Sequence, residues 1–196
     1  MPRATLCHDA ASAVRAGDDR AFDELARRYR PGVCALCFDR TRDFDVAEDL
    51  TQEALLKAHA AWGSLRDPEA FPQWLRQIAL NCCRSWVRRL MPAHADLASA
   101  ERLPGLGTFE EVTRRQLARE IASALAQLPE NNRLAFLMHV QGCRYREIAE
   151  FLGVAETTIV GRLHRARGRL RSLLEERRIL EYLQHLGDQY LGGECP

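Results

Sequence analysis

Residues 145–171 read YREIAEFLGVAETTIVGRLHRARGRLR, and the fold turns on this stretch. A short amphipathic helix, Tyr145 to Leu152, stops at Gly153. Glycine accepts the left-handed backbone of a tight interhelical turn, where a Cβ would be strained. A second helix starts near Glu156. Its Ile159, Leu163, Ala166 and Leu170 follow i, i+4, i+7, i+11 and form one apolar stripe. At about 100° per residue, Thr157, Thr158, Gly161 and Arg165 rotate away from that stripe and would face a major groove. Arg162, Arg165, Arg167, Arg169 and Arg171 crowd the same helix with no acid among them. They suit phosphate neutralisation and, at base edges, bidentate guanine contacts. The plain alternative is an arginine-rich, solvated helix of an ordinary bundle. The glycine-centred turn and the one-sided charge favour a DNA-binding helix-turn-helix.

The rest of the chain is also helical in pattern, with no convincing strand alternation. The expected architecture is all-α: two small helical domains joined by a flexible linker. The first domain spans 10–89, the linker 90–108, the second domain 109–174, and a tail 175–196. The linker, LMPAHADLASAERLPGLGT, carries two Pro and two Gly and has no apolar face. In the first domain, Asp18-Asp19 is a plausible cap for a helix that Pro31 should kink or interrupt. Asp43 to Asp45 can cap the next helix. Gly63 and Asp67-Pro68 mark a loop, and Pro68 suits the first turn of a helix running to about Arg89. The second domain should break at Leu128-Pro129, Gly142 and Gly153. In the tail, Ile179, Leu183, Leu186 and Tyr190 make a further stripe, which either closes the second domain or meets a different partner.

Two helices of the first domain carry candidate surfaces. In DVAEDLTQEALLKA (residues 45–58), Ala47, Leu50, Ala54 and Ala58 make the buried stripe. The outer face carries Glu48, Asp49, Gln52 and Glu53 with Leu56 among them. A negative face with an exposed Leu is either a protein-docking surface or a solvated helix face. In the helix from Phe71, the residues Phe71, Trp74, Leu75, Ile78, Cys82 and Trp86 share one side. Arg76, Arg84 and Arg88 lie broadly opposite, with Asn81 at the border. A polar, basic face over an aromatic-rich core could support unstacked bases. Trp74 and Trp86 themselves read as core packing.

The composition limits the function. The formal net charge is +1, which argues against a protein that clamps DNA alone through many phosphate contacts. No apolar run approaches the ~20 residues of a membrane helix, and the N-terminus lacks a signal-peptide core, so the expected location is cytoplasmic. There is no Gly-rich phosphate loop and no catalytic triad, and the chain reads as a binding protein rather than an enzyme, with no cofactor. Seven scattered cysteines fit reduced thiols better than a disulfide framework. Cys34 and Cys37, three apart within a helix, read as buried thiols on one face. A zinc site would need two more ligands, and none is near in sequence. No metal site is expected.

Together these stretches resemble the extracytoplasmic-function (ECF) sigma factors of the sigma-70 family. Residues 45–58 are similar to the family's polymerase-binding helix. LRDPEAFPQWLRQIALNCCRSWVRR (residues 65–89) resembles the loop and helix that read and open the minus-10 element. LAQLPENNRLAFLMHVQGCRYREIAEFLGVAETTIVGRLHRARGRLR (residues 125–171) resembles region 4, which binds the minus-35 element. The resemblance implies that Asp49, Gln52, Glu53 and Leu56 meet core RNA polymerase. It places Leu65, Arg66, Arg76, Asn81, Arg84 and Arg88 near the minus-10 strand, and Thr157, Thr158, Arg162, His164 and Arg165 at the minus-35 duplex. It implies promoter DNA, core polymerase and an anti-sigma factor as partners, with no membrane insertion. A flipped minus-10 base would be captured as the strands separate. Two departures stand out. Val160-Gly161 occupies the place of a basic residue followed by Ser, and Ser85 stands where an Asp is common. A stand-alone helix-turn-helix regulator is the alternative, but it has no need of the motifs at 45–58 and 65–89. A redox protein using Cys34 and Cys37 would need a companion base or thioredoxin-like strands, and the sequence has neither.

Overall fold

A computed structural model describes residues 19–90 and 109–176. Seven α-helices occur among the described residues: α1 (Asp19–Thr41), α2 (Phe44–Ala60), α3 (Phe71–Leu90), α4 (Phe109–Ala126), α5 (Glu130–Val140), α6 (Tyr145–Leu152) and α7 (Glu156–Glu176). Short 3-10 turns, Trp62–Ser64 and Pro68–Ala70, connect α2 to α3. No strand appears among the described residues. The Asp18 cap, the linker after Leu90, and the tail stripe of Ile179, Leu183, Leu186 and Tyr190 lie outside them.

The described residues gather into two compact units, one of 19–90 with 134–161 and the other of 109–133 with 162–176. In the first unit, α1, α2 and α3 all pack on one another. Helix α2 contributes Ala47, Ala54 and Ala58 with Leu50, all buried; the three alanines let its neighbours approach closely. The buried Thr51 hydroxyl donates to the Ala47 carbonyl at 2.7 Å, so no polar group is stranded there. Phe22, Trp62 and Phe71 meet edge to face with ring centroids 5.5, 6.1 and 5.6 Å apart, the arrangement that aromatic quadrupoles prefer.

Local chemistry sets the helix ends. The Asp43 carboxylate accepts from the Val46 amide at 3.1 Å, and Asp67 accepts from Glu69 at 3.0 Å. Of the kink or interruption expected at Pro31, the interruption does not occur: α1 runs on through it. Proline removes one donor to the carbonyl four residues back. Burial of Val33, Leu36 and Cys37 just beyond it holds the helix together.

Helix α6 rests on α3 and α1. Phe151 is fully buried and stacks on Tyr29 with centroids 6.5 Å apart. The Tyr29 hydroxyl donates to Glu150 at 2.6 Å. Arg28 pairs with Glu147 at 3.1 Å and with Glu150 at 3.4 Å. Gly32 makes the approach possible: a Cβ there would stand 2.8 Å from the Met138 methyl. The second unit buries Ala124, Leu125, Leu128, Leu163, Ala166, Leu170 and Leu173.

Candidate nucleic-acid interface

The helix-turn-helix forms where the sequence places it. Helix α6 ends at Gly153, which has φ 67 and ψ 40, and the Val154 amide closes the turn onto the Ala149 carbonyl at 3.0 Å. At the start of α6, Glu147 accepts from the Arg144 amide at 2.9 Å. On α7, Ile159, Leu163 and Ala166 are fully or almost fully buried, and Leu170 is buried too. Thr157, Thr158, His164 and Arg165 are exposed, whereas Arg162 is half-buried. The exposed side also carries Arg169 and Arg171, and no acid stands between Glu156 and Glu175. The result is a helix with a dry inner stripe and an outer face of hydroxyls, one imidazole and guanidinium groups, chemistry fit for phosphates and base edges.

The outer side of α2 differs from a plain acidic face. Glu48 is tied to Arg30 at 2.6 Å. Glu53 holds Lys57 at 2.6 Å and Arg89 at 3.5 Å. The Lys57 hydrogen bond, helped by Arg89, keeps the Glu53 carboxyl below the usual carboxylate range. Asp49 and Gln52 are exposed. Leu56, on the same face at i+7 and i+4 from them, is 72% exposed. Of the residues read on this face, Asp49, Gln52 and the bare Leu56 are thus the ones left exposed.

On α3 the inward face is not quite the expected one. Phe71, Pro72, Leu75, Ala79, Cys82 and Cys83 are buried, while Trp74, Ile78 and Trp86 are only half-buried. The small Ala79 and Cys83 join Phe71, Leu75 and Cys82 on the buried side. Asn81 is exposed, and its Oδ1 accepts from Gln77 at 3.3 Å and from Arg84 at 3.0 Å. Its amide nitrogen remains a donor. Arg88 donates to the Ser85 hydroxyl at 3.3 Å. Arg66 is exposed, but the Leu65 side chain is buried and belongs to the core under the loop. Arg76 is half-buried, with a buried Nε that has no hydrogen-bond partner, a donor kept dry beside the basic face.

Sequence reasoning missed Gln77, the Arg30 partner of Glu48 and the Arg89 partner of Glu53. The i,i+4 spacing of Gln77 with Asn81 was available as a signal. The other two join different helices and left none.

The described cysteines are thiols inside the core. Cys34, Cys37, Cys82, Cys83 and Cys143 are free and buried. Cys37 and Cys83 touch, sulfur to sulfur, at 3.8 Å. That contact pushes the Cys37 thiol up and holds the Cys83 thiol down. Burial, with Glu147 nearby, pushes Cys143 up to about 12. No group of three or more metal-ligating side chains occurs among the described residues. No described helix is long and apolar enough to cross a membrane.

Comparison with known proteins covers both units. The Sigma-70 region 2 model matches residues 25–91, and the Sigma-70, region 4 model matches residues 118–170. The ECF RNA polymerase sigma factor SigM of Mycobacterium tuberculosis (strain H37Rv) is 36% identical over 160 residues, covering 81% of this chain and 80% of SigM. The "Probable RNA polymerase sigma factor RfaY" of Xanthomonas campestris is 32% identical over 181 residues, 89% of this chain; the chain spans only 45% of that relative. The structure of CnrH in complex with the cytosolic domain of CnrY aligns with 87% of this chain and 98% of that chain, at a TM-score of 0.54 and 24% identity, a likeness of fold.

Proposed function

Because this chain belongs to the sigma-70 family, among its ECF sigma factors, we propose that its helices divide promoter recognition into three surfaces. The chain is an RNA polymerase sigma factor and acts in transcription initiation. In our reading, Asp49, Gln52 and Leu56 of α2 dock on core polymerase, with Glu53 as their positioned neighbour. Helix α3 presents Asn81, Arg84 and Arg88 to the minus-10 strand, with Arg76 beside them and Arg66 on the adjoining loop. Leu65 supports that loop from inside. Helix α7 lays Thr157, Thr158, Arg162, His164 and Arg165 against the minus-35 duplex. The working boundaries are 10–89 for region 2 and 109–174 for region 4.

The contribution is binding rather than bond-making. Exposed donors on α3 hold a single strand once it leaves the duplex, and the guanidinium groups of α7 fix register on phosphates. Net charge near neutrality fits a subunit whose grip on DNA is shared with polymerase. An anti-sigma partner and a cytoplasmic location, beside polymerase, complete the reading.

One observation carries it. A face with Leu56 at 72% exposure and an arginine-flanked recognition helix occur in the same chain, and a regulator that acts alone uses only the second. In vitro transcription with purified core polymerase on a genomic promoter library tests it. The expected result is initiation that requires the chain, with weak duplex binding by the chain alone. Tight operator binding without polymerase, and no initiation with it, would overturn the reading.

A further inference from the structure

The exposed side of α7 contains one feature that phosphate binding does not use. Val160 is 50% exposed and is the one large aliphatic side chain of this helix that is exposed among the described residues. At about 100° per residue from the buried Ile159, it stands on the shoulder of the outward face, one turn from Thr157 and His164. Gly161 follows it and adds no side chain to crowd it. Exposed arginines flank the same face, with no acid from Thr157 to Leu174.

The occupant of this face must therefore be a polyanion, yet its shoulder is apolar. A major groove satisfies both requirements. It is bordered by phosphates, and the one apolar group it displays is the thymine C5 methyl. Val160 can neither donate nor accept a hydrogen bond, so it contributes nothing to a guanine, cytosine or adenine edge. We infer that Val160 is a specificity-determining residue that reads a thymine methyl in the minus-35 element. The inference rests on the reading of α7 as the minus-35 helix. Discrimination here is by shape and dryness, and it weakens in steps as the aliphatic side chain is shortened.

The test uses holoenzyme on promoter duplexes whose minus-35 element is located by footprinting. Each thymidine of that element is replaced in turn by deoxyuridine, which removes only the methyl group. At one position the parent holoenzyme should bind about fourfold more weakly, the worth of one buried methyl. Val160→Ala should shrink that ratio, and Val160→Ser should bring it to about one while leaving helicity by circular dichroism unchanged. If the element is protected but no thymidine is methyl-sensitive, or if the sensitivity persists in Val160→Ser, the inference is overturned and the minus-35 reading stands. Val160→Ser weakening assembly with core polymerase, with methyl sensitivity intact, would assign Val160 to a protein contact and overturn it equally. Absence of any minus-35 protection would overturn the inference together with the reading beneath it.

Discussion

Tyr29→Phe removes one oxygen from the contact between α1 and α6 and leaves the ring in place. The parent hydroxyl donates to Glu150 at 2.6 Å in a part-buried setting. A hydrogen bond to a charged group contributes about 1.5–3 kcal/mol. Glu150 keeps Arg146 at 2.7 Å and Arg28 at 3.4 Å, so the carboxylate is not stranded and the lower half of that range applies. The expected loss is about 1.5 kcal/mol, equivalent to a melting midpoint roughly 3–6 °C lower for a chain of this length. Burial alone would push the Glu150 carboxyl up, but Tyr29, Arg146 and Arg28 outweigh it and hold it below the ordinary range. A depressed carboxyl stabilises the fold above the unfolded-state pKa, and this contribution disappears as pH falls through the folded-state pKa. The Tyr29→Phe deficit should therefore be full at pH 7 and shrink near pH 3. Urea denaturation followed by tryptophan fluorescence, run as a double-mutant cycle with Glu150→Gln, measures it. No coupling in the cycle, or an equal deficit at both pH values, would refute the reasoning.

Reversing Asp49 and Glu53 together to Arg should weaken association with core polymerase at least tenfold, with far-ultraviolet circular dichroism unchanged; a pull-down titration decides it. Asn81→Ala should impair opening at the minus-10 element and Arg165→Ala should weaken minus-35 binding, each by about 1–3 kcal/mol for a direct base contact; permanganate reactivity and footprinting separate the two. Gly153→Ala places a Cβ at φ 67, 3.3 Å from the Gln73 amide, and should cost roughly 1–2 kcal/mol in a chemical melt.

Local periodicity made much of this molecule legible. The stripe of Ile159, Leu163, Ala166 and Leu170 and that of Ala47, Leu50, Ala54 and Ala58 are both buried as read, because each follows helical spacing within one element. On the expected inward face of α3, Phe71, Leu75 and Cys82 are buried as read, but Trp74, Ile78 and Trp86 are half-buried and the small Ala79 and Cys83 are buried beside the first three, because size dominates a hydrophobic pattern. The break that Pro31 favours does not occur, because the packing around α1 keeps the helix continuous. The contact of Arg28 and Tyr29 with Glu147 and Glu150 joins positions more than a hundred residues apart, and no local spacing encodes it. The candidate surfaces divide in the same way. The exposure of Thr157, Thr158, His164 and Arg165 on α7 and of Asp49, Gln52 and Leu56 on α2 follows from helical spacing, whereas the ties that engage Glu48 and Glu53 depend on neighbouring helices.

The five enclosed thiols turn the fold into its own stopwatch. Alkylating reagents react with thiolates that solvent reaches, and these sulfurs are buried, four of them with thiols also pushed up. In a variant with serine at Cys7 and Cys195, the remaining labelling would occur only through transient openings, so its rate reports how often each part of the chain exposes its interior. Cys143 times the junction of α5 and α6; Cys37 and Cys83 time the parting of α1 from α3. Mass spectrometry of pulse-labelled protein would then show, sulfur by sulfur, which seam loosens first when polymerase or promoter is added.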